Sequence, residues 1–452
     1  VGFDRITPIQ NFRDVSTDSR SLRRDDLFVA LRGEKFDGHE YLDQVKKEGA
    51  LAAIVDKHWF KKNERKAKSL EMPLLVVEDT LQAYGGLASL YRRKFNIPVL
   101  VIAGSNGKTT AKELIAYVLS STLEVLKTEA NYNNQVGVPR MLFRLRDGHD
   151  IAVLEIGTNH PGEIEWLCSV AQPTHALVTN IGREHLEFFK DLKGVTKEEC
   201  TALEFVHERA GFAFINLDDK FIRPYAKSFA DKQLNYGVDP TAQVTVHSMG
   251  HAKDGRLELR ITAEGKSFRL RTHLLADYAP NLLGSAVAVG LHFKLRRAEI
   301  KQMIEHFKPH DKRLELMTLP SGLIILNDTY NANPDSMESA FRTVSGFPHS
   351  SKKYAALGDM LELGESASKE HRGLGKLLVE SKFQHIYFAG TMMEAAYRSF
   401  LRAGGAEKRA TWTNDKDAIA EQIKEAAKPG DVVLVKGSRG MKMEDVIEGL
   451  QK

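Results

Sequence analysis

Seven consecutive residues, Gly104-Ser105-Asn106-Gly107-Lys108-Thr109-Thr110, stand between an apolar run, PVLVIA, and a helix-like run, AKELIAYVLSS. Strand, glycine-rich turn and helix, in that order, are what holding a phosphate chain requires. Glycines let backbone N–H groups close on phosphate oxygens, and the start of a helix adds positive potential. A lysine reaches the outer phosphates, and a threonine hydroxyl meets Mg²⁺. Gly104, Asn106, Gly107, Lys108, Thr109 and Thr110 are therefore the candidate nucleotide-phosphate residues. The spacing departs from the common G-x-x-x-x-G-K-[ST], because Ile102 stands five positions before Gly107.

A phosphate loop also needs a carboxylate at the end of a neighbouring strand to organise the metal. Ile151-Ala152-Val153-Leu154-Glu155 is an apolar run closed by Glu155, and His185 lies just beyond the run His175–Gly182. Thr109, Glu155 and His185 are the candidate ligands of a hard cation such as Mg²⁺. Taken alone, a strand-end glutamate is commonly a solvated or capping residue and a lone histidine a structural one. The loop is what gives them a chemical reading.

The elements that must position these residues are legible in outline. At 452 residues the chain exceeds what one core serves, since single cores stop growing at about 250–300 residues. The basic stretch Arg92-Arg93-Lys94 before Pro98 and the charged, proline-containing stretch His306–Arg313 mark two boundaries. They give domains 1–95, 96–308 and 309–452. In the middle one PVLVIAG, DIAVLEIG, HALVTNIG and FAFINLD alternate with helical patterns, which predicts a parallel-sheet P-loop ATPase domain covered by helices. KYAALGD, HIYFAG and DVVLVKGS predict a smaller doubly wound, Rossmann-like unit at the C-terminus. The first domain is mixed α/β, so the fold class is α/β in three domains.

Composition narrows the function classes. With 42% hydrophobic and 27% charged residues and a net charge of +4 spread along the chain, nothing argues for nucleic-acid or membrane-surface binding. The two cysteines, Cys168 and Cys200, form no C-x-x-C pair, so neither a disulfide framework nor a structural zinc site is supported. No apolar run of about 18 residues is present and the start VGFDRITPIQ lacks signal-peptide character, so the expected location is cytoplasmic.

The runs AGSNGKTT, TEANYNNQVGVP, EIGTNHPGEI and NIGREHLEFF together resemble the central domain of the Mur ligases, ATP-dependent amide-forming enzymes of peptidoglycan precursor synthesis. NDTYNANPDS, GDMLELG and VLVKGSRGMKME resemble the branch that adds D-Ala-D-Ala to UDP-N-acetylmuramoyl-tripeptide. Asp18-Ser19-Arg20, LFVALRGE and Asp37-Gly38-His39 resemble its UDP-binding domain. The resemblance covers nearly the whole chain in order. It implies ATP and Mg²⁺ as cofactors, an acyl phosphate on the way to the amide, and a monomer with neither a nucleic-acid partner nor membrane insertion. Position by position, it implies that Asn281, Arg313 and Asp328 meet the nucleotide. Ser19, Arg20, Gly33 and Glu34 would contact UDP, Asn133 and Asn134 the muramoyl peptide, and Asn331 and Asn333 the incoming dipeptide.

Two positions depart from the family pattern. The resemblance implies a carbamylated lysine some way after the metal-site histidine, and Glu199 stands in that register with Lys197 two residues earlier. Either Glu199 is already the carboxylate required, as a fourth catalytic residue beside Lys108, Glu155 and His185, or Lys197 is the modified residue. Pro280 precedes Asn281 where histidine is implied. Rival readings are a sister ligase adding a single amino acid and a P-loop nucleotide switch. For the latter, Asn414-Asp415-Lys416-Asp417 has the wrong order for a guanine-reading motif.

Overall fold

The computed structural model describes residues 11–33, 36–251, 256–275, 277–308, 312–347 and 351–452. They build three sheets. A four-stranded parallel sheet runs in the order Val15–Ser16, Leu27–Val29, Ala52–Asp56, Leu74–Val77. A nine-stranded sheet is parallel from Val125–Lys127 through Ile151–Glu155, Val99–Ala103, His175–Val178, Phe212–Asn216 and Gln233–Gly237 to Val244–His251. It then continues antiparallel through Leu257–Ala263 and Lys266–Thr272. A six-stranded sheet starts with the antiparallel pair Glu315–Thr318 and Ile324–Asp328. It continues in parallel through Val432–Lys436, Lys353–Gly358, His385–Ala389 and Ala410–Trp412.

The apolar runs read from the sequence become strands because helices cover them on both faces, so every residue of Val99–Ala103, Ile151–Glu155 and Val432–Lys436 is buried. Separate clusters line the two faces of the C-terminal sheet, one with Leu357, Phe388 and Leu434 and the other with Tyr354, Tyr387 and Val435. The antiparallel extension escaped the sequence reading. Leu257–Ala263 alternates buried with half-buried or exposed residues, leaving no continuous apolar run to notice.

One compact unit gathers residues 1–97 with 128–149 and 166–172. Cuts read along the chain do not register those two returns. The second unit holds the nine- and six-stranded sheets. In it the strand Val99–Ala103 pairs with Ile151–Glu155 on one side and His175–Val178 on the other. The chain thus runs out from this strand in both directions, the kind of switch point at whose carboxyl end α/β sheets bind ligands. Among the described residues no helix is long and apolar enough to cross a membrane.

At the amino end of the neighbouring strand His175–Val178 two histidines share one hydrogen bond. His175 opens its strand and His292 ends the helix Ala279–His292, with their Nε2 atoms 3.0 Å apart among Phe212, Phe214 and Phe293. One ring must donate and the other accept, so the pair is built for the neutral state. Burial first, and then the neighbouring charges of His292 and Lys294 respectively, push both down to about 4. In the unfolded chain both titrate near 6.5, so between those values the unfolded state takes up protons that the folded state refuses. Stability is therefore lost as pH falls from 6.5 toward 4. By pH 5 each histidine should cost at most about 2 kcal/mol, less for the partly exposed His292, where solvent screens the effect. Replacing both with phenylalanine is expected to shrink the drop in Tm between pH 7 and pH 5, and an unchanged drop would rule the pair out as its source.

Candidate active site

The loop Gly104–Gly107 leaves the carboxyl end of Val99–Ala103 and enters the helix Lys108–Leu119. Gly104 at φ +113° and Gly107 at φ +79° lie where side-chain-bearing residues are strained, and a Cβ at Gly104 would collide with Thr179. Gly107 caps the helix with no side-chain hydrogen bond, so the first N–H groups face outward, as an anion site needs. Asparagine side chains brace the turn. Asn106 N donates to Asn180 Oδ1 at 3.1 Å, and Asn180 Nδ2 returns a bond to Asn106 O at 2.8 Å. Thr110 is buried at the first turn of the helix.

Lys108 folds over its own loop, donating to Gly104 O and lying 3.6 Å from Glu184 and 3.9 Å from Glu199. Burial works against its charge. Glu184, Glu199 and Glu155 outweigh burial and hold the ammonium above its ordinary range. Thr109 Oγ1 donates to Glu155 Oε1 at 3.1 Å, which brings two of the candidate metal residues together. Glu199, 1% exposed, accepts from Gly104 N at 2.6 Å through Oε2, while its buried Oε1 has no hydrogen-bond partner among the described residues. Burial is the main cause that pushes Glu199 up to about 8, with Glu184 adding to it and Lys108 opposing. Lys197, two residues earlier on the same helix, is exposed.

His185, in the left-handed region at φ +46°, has Nδ1 3.1 Å from Glu362 Oε2, outside hydrogen-bond geometry, and its proximity lowers the Glu362 carboxyl despite burial. Among the described residues no three His, Cys, Asp or Glu side chains gather as a ready metal cage. Mg²⁺ keeps waters and is bound by one or two carboxylates together with phosphates. Thr109 and Glu155 fit such a cation by their oxygen donors.

Beside the loop opens a cavity of about 280 Å³, walled by Asn106, Asn180, Tyr278 and Asn281 and by Ser336 and Arg342 of the helix Pro334–Ser345. Asn281 Oδ1 is buried and has no hydrogen-bond partner among the described residues. An amide so placed is suited to a nucleotide base, which carries complementary donors and acceptors. Pro280 sits in the first turn of the helix Ala279–His292, where a missing N–H does no harm.

The C-terminal candidates divide. Asn333 caps Pro334–Ser345 through a capping box with Ser336, and its Nδ2 donates to Asn106 Oδ1 at 2.9 Å, reaching the phosphate loop itself. Arg313 stacks on Tyr330, with Cζ 3.9 Å from the ring centroid, and its charge is felt by Lys108. Asp328 instead accepts from buried Lys436, its register partner across the sheet, and from Leu314 N. The Asn331 side chain is exposed and accepts from its neighbour, Ala332 N, at 2.9 Å.

In the N-terminal unit a cavity of about 680 Å³ is lined by Arg13, Arg23, Arg140 and Arg144, with Asp18 and Tyr132. None of the four arginines was singled out from the sequence. Arg20 lies on Asp18 at 2.8–2.9 Å and points outward, and Ser19 is half-buried. The Arg20 bond brings the Asp18 carboxyl down to about 2, against burial. Gly33 N donates to Phe36 O in a turn, and Glu34 lies outside the described residues. Asn134 Oδ1 accepts from Val136 N and Gly137 N at the head of Gly137–Leu142, while Asn133 holds the same turn through its backbone. Glu184 was also missed, although it adjoins His185 in the run REHL.

The chain matches the family models described as "Mur ligase family, catalytic domain" over residues 11–92, "Mur ligase middle domain" over 102–289 and "Mur ligase, glutamate ligase domain" over 312–439. It is 34% identical to the UDP-N-acetylmuramoyl-tripeptide–D-alanyl-D-alanine ligase of Haemophilus influenzae, covering 97% of this chain and 93% of that one. Identity to the enzyme of the same name from Bacillus subtilis is 30%, covering 96% and 92%. Among solved structures it is similar to MurF ligase from Thermotoga maritima in complex with ADP, with TM-score 0.85, 25% identity and 97% of both chains covered. It is also similar to MurF from Acinetobacter baumannii, with TM-score 0.84, 28% identity, and 97% of this chain and 93% of that one covered.

Glu199 gives the site a pH signature. Its carboxyl titrates near 4.5 when free and about 8 when folded, so between those values the folded state holds a proton that the unfolded state has lost. Stability therefore falls as pH rises through this window. Glu199→Gln keeps the shape and removes the titration, and it is expected to flatten the decline of Tm between pH 6 and pH 9. Equal declines in the variant and the parent would contradict a buried, proton-holding Glu199.

Proposed function

This chain belongs to the Mur ligase family, and we propose that it joins D-Ala-D-Ala to UDP-N-acetylmuramoyl-tripeptide as an ATP- and Mg²⁺-dependent ligase of peptidoglycan precursor synthesis. The observation that carries this reading is the meeting of two runs far apart in the chain at one point: Asn333 of NDTYNANPDS donates to Asn106 of the phosphate loop. A nucleotide switch has no need for a second lobe reaching into its phosphate loop, whereas a ligase must hold an amine beside the activated carboxylate.

In this reading residues 96–308 bind the nucleotide, 1–95 the UDP end of the acceptor, and 309–452 the incoming dipeptide. Gly104, Asn106, Gly107 and Thr110 would cradle the phosphates, Asn281 would meet the base, and Thr109, Glu155 and His185 would hold Mg²⁺. When bound, Mg·ATP supplies the phosphoryl group that converts the acceptor carboxylate into an acyl phosphate. Lys108 would neutralise charge on the transferring group, since positioning and electrostatics supply most of the catalysis in phosphoryl transfer. Asn333 and Arg313 would seal the nucleotide side, excluding water that would otherwise hydrolyse the acyl phosphate. The four arginines of the N-terminal cavity would bind the diphosphate, an assignment favoured by guanidinium geometry, with Ser19, Arg20, Gly33 and Glu34 at its rim. Asn133 and Asn134 would shape the turn facing the muramoyl peptide. Asp328 would act through Lys436, holding the strand end from which Asn331 faces the dipeptide. The enzyme would work as a cytoplasmic monomer.

ADP release is expected to require UDP-N-acetylmuramoyl-tripeptide and D-Ala-D-Ala together. Equal release with single D-alanine or an L-amino acid would replace the dipeptide reading with that of a sister ligase. The second expectation concerns the carboxylate at the loop. With Glu199 supplying it, Glu199→Ala should lose about tenfold or more in kcat, Lys197→Ala should stay near the parent, and depletion of CO₂ should change nothing. A severe Lys197→Ala together with bicarbonate dependence would move the role to Lys197.

A further inference from the structure

The loop Ile181–His185 is gripped from two directions. Toward the phosphate site, Gly182 N donates to Ser105 Oγ at 2.8 Å and the Glu184 carboxylate stands 3.6 Å from Lys108 Nζ. Toward the C-terminal lobe, the residue between them, Arg183, donates from its guanidinium to Asp335 Oδ1 at 2.9 and 2.6 Å, to Glu338 Oε1 at 2.5 Å and to Glu370 Oε2 at 3.1 Å. Its backbone N–H donates to Asp335 as well. Asp335 and Glu338 lie on the helix Pro334–Ser345 and Glu370 on Ala367–Val379, so one side chain spans two helices of that lobe.

The charges make this grip conditional on Arg183. Three carboxylates converge on one guanidinium, and Arg342, 3.9 Å from Glu338, is already engaged by Asp277. Without Arg183 the three acids would face one another and the central loop, leaving the neutral Asn333–Asn106 bond as the polar tie to the phosphate loop. Removing Arg183 leaves three like charges unpaired, and Glu370, at 11% exposure, regains little water in compensation.

We propose that Arg183 is a positioning residue that ties docking of the C-terminal lobe to the placement of Glu184 and His185, so that the phosphate site is complete only while the lobe is docked. The neighbours of Arg183 in sequence carry the coupling. Glu184 follows it directly to Lys108, and His185 returns to the C-terminal lobe through Glu362. Its consequence for turnover rests on the ligase reading, but docking itself can be measured without substrate.

The test places nitroxide labels at Lys220→Cys and Lys376→Cys, both exposed and one on each lobe, in the full chain without nucleotide. The parent should give one narrow distance and Arg183→Gln a broadened one. In steady-state assays Arg183→Gln should lower kcat by about tenfold or more while the KM for ATP moves less than about threefold. Arg183→Lys, which keeps charge but loses the fork, should recover part of the rate. Glu370→Gln, which touches Arg183 and no phosphate-loop residue, should show a smaller shift of the same kind and serves if Arg183→Gln fails to fold. A narrow distance in both variants, a broad one in the parent, or a loss confined to the KM for ATP would overturn the proposal. A distance that responds in a protein indifferent to D-Ala-D-Ala would leave the coupling standing and remove the ligase reading instead.

Discussion

Burying the Lys108 ammonium at the head of a helix sets positive charge against positive potential in a region that water reaches poorly, and negative charge must be brought to it. Glu155 and Glu184 do this from two different elements, and Glu199 from a third adds its charge once it loses the proton it holds up to about pH 8. Glu155 ends a neighbouring strand, Glu184 sits in the loop after His175–Val178, and Glu199 lies on the helix Leu192–Glu208. The order of strands around Val99–Ala103 is what lets all three converge. A polyphosphate suits the same positive centre, because Gly107 leaves the start of the helix without a side-chain cap while Glu199 and Asn180 hold the loop N–H groups of Gly104 and Asn106 in place. Stability and catalysis thus draw on one electrostatic arrangement.

The same arrangement explains why the C-terminal lobe matters to chemistry on the central one. Asn333 touches the Gly104–Gly107 loop, Arg183 connects the acid-bearing loop to helices of the second lobe, and His185 connects it to the bend at Glu362. An acyl phosphate survives only where water is kept away, and in the proposed reading a lobe that completes the site as it docks would supply both the exclusion and the amine.

Much of this was legible in the sequence because the phosphate loop concentrates its chemistry in adjacent residues, and because strands buried on both faces announce themselves as unbroken apolar runs. What stayed hidden depends on partners far apart in the chain. Arg183 meets acids 152 to 187 positions away, and nothing local marks it. Arg13 and Arg23 share a cavity with Arg140 and Arg144 only because residues 128–149 fold back into the N-terminal unit. Asp328 reads as a free acid in NDTYNANPDS, yet the sheet register sets it opposite Lys436, and that pairing takes its charge. Glu199 was identified by its register against the family, and its bond to Gly104 N gives that position a physical role at the loop.

The most direct test of the account follows the fate of one oxygen atom. If the acceptor carboxylate attacks the transferring phosphoryl group and the amine then expels phosphate, an acceptor whose carboxylate is labelled with oxygen-18 must pass label to the inorganic phosphate released during turnover with ATP and D-Ala-D-Ala. The account predicts labelled phosphate, in amount equal to the amide formed. Unlabelled phosphate, or label found in AMP, would contradict it.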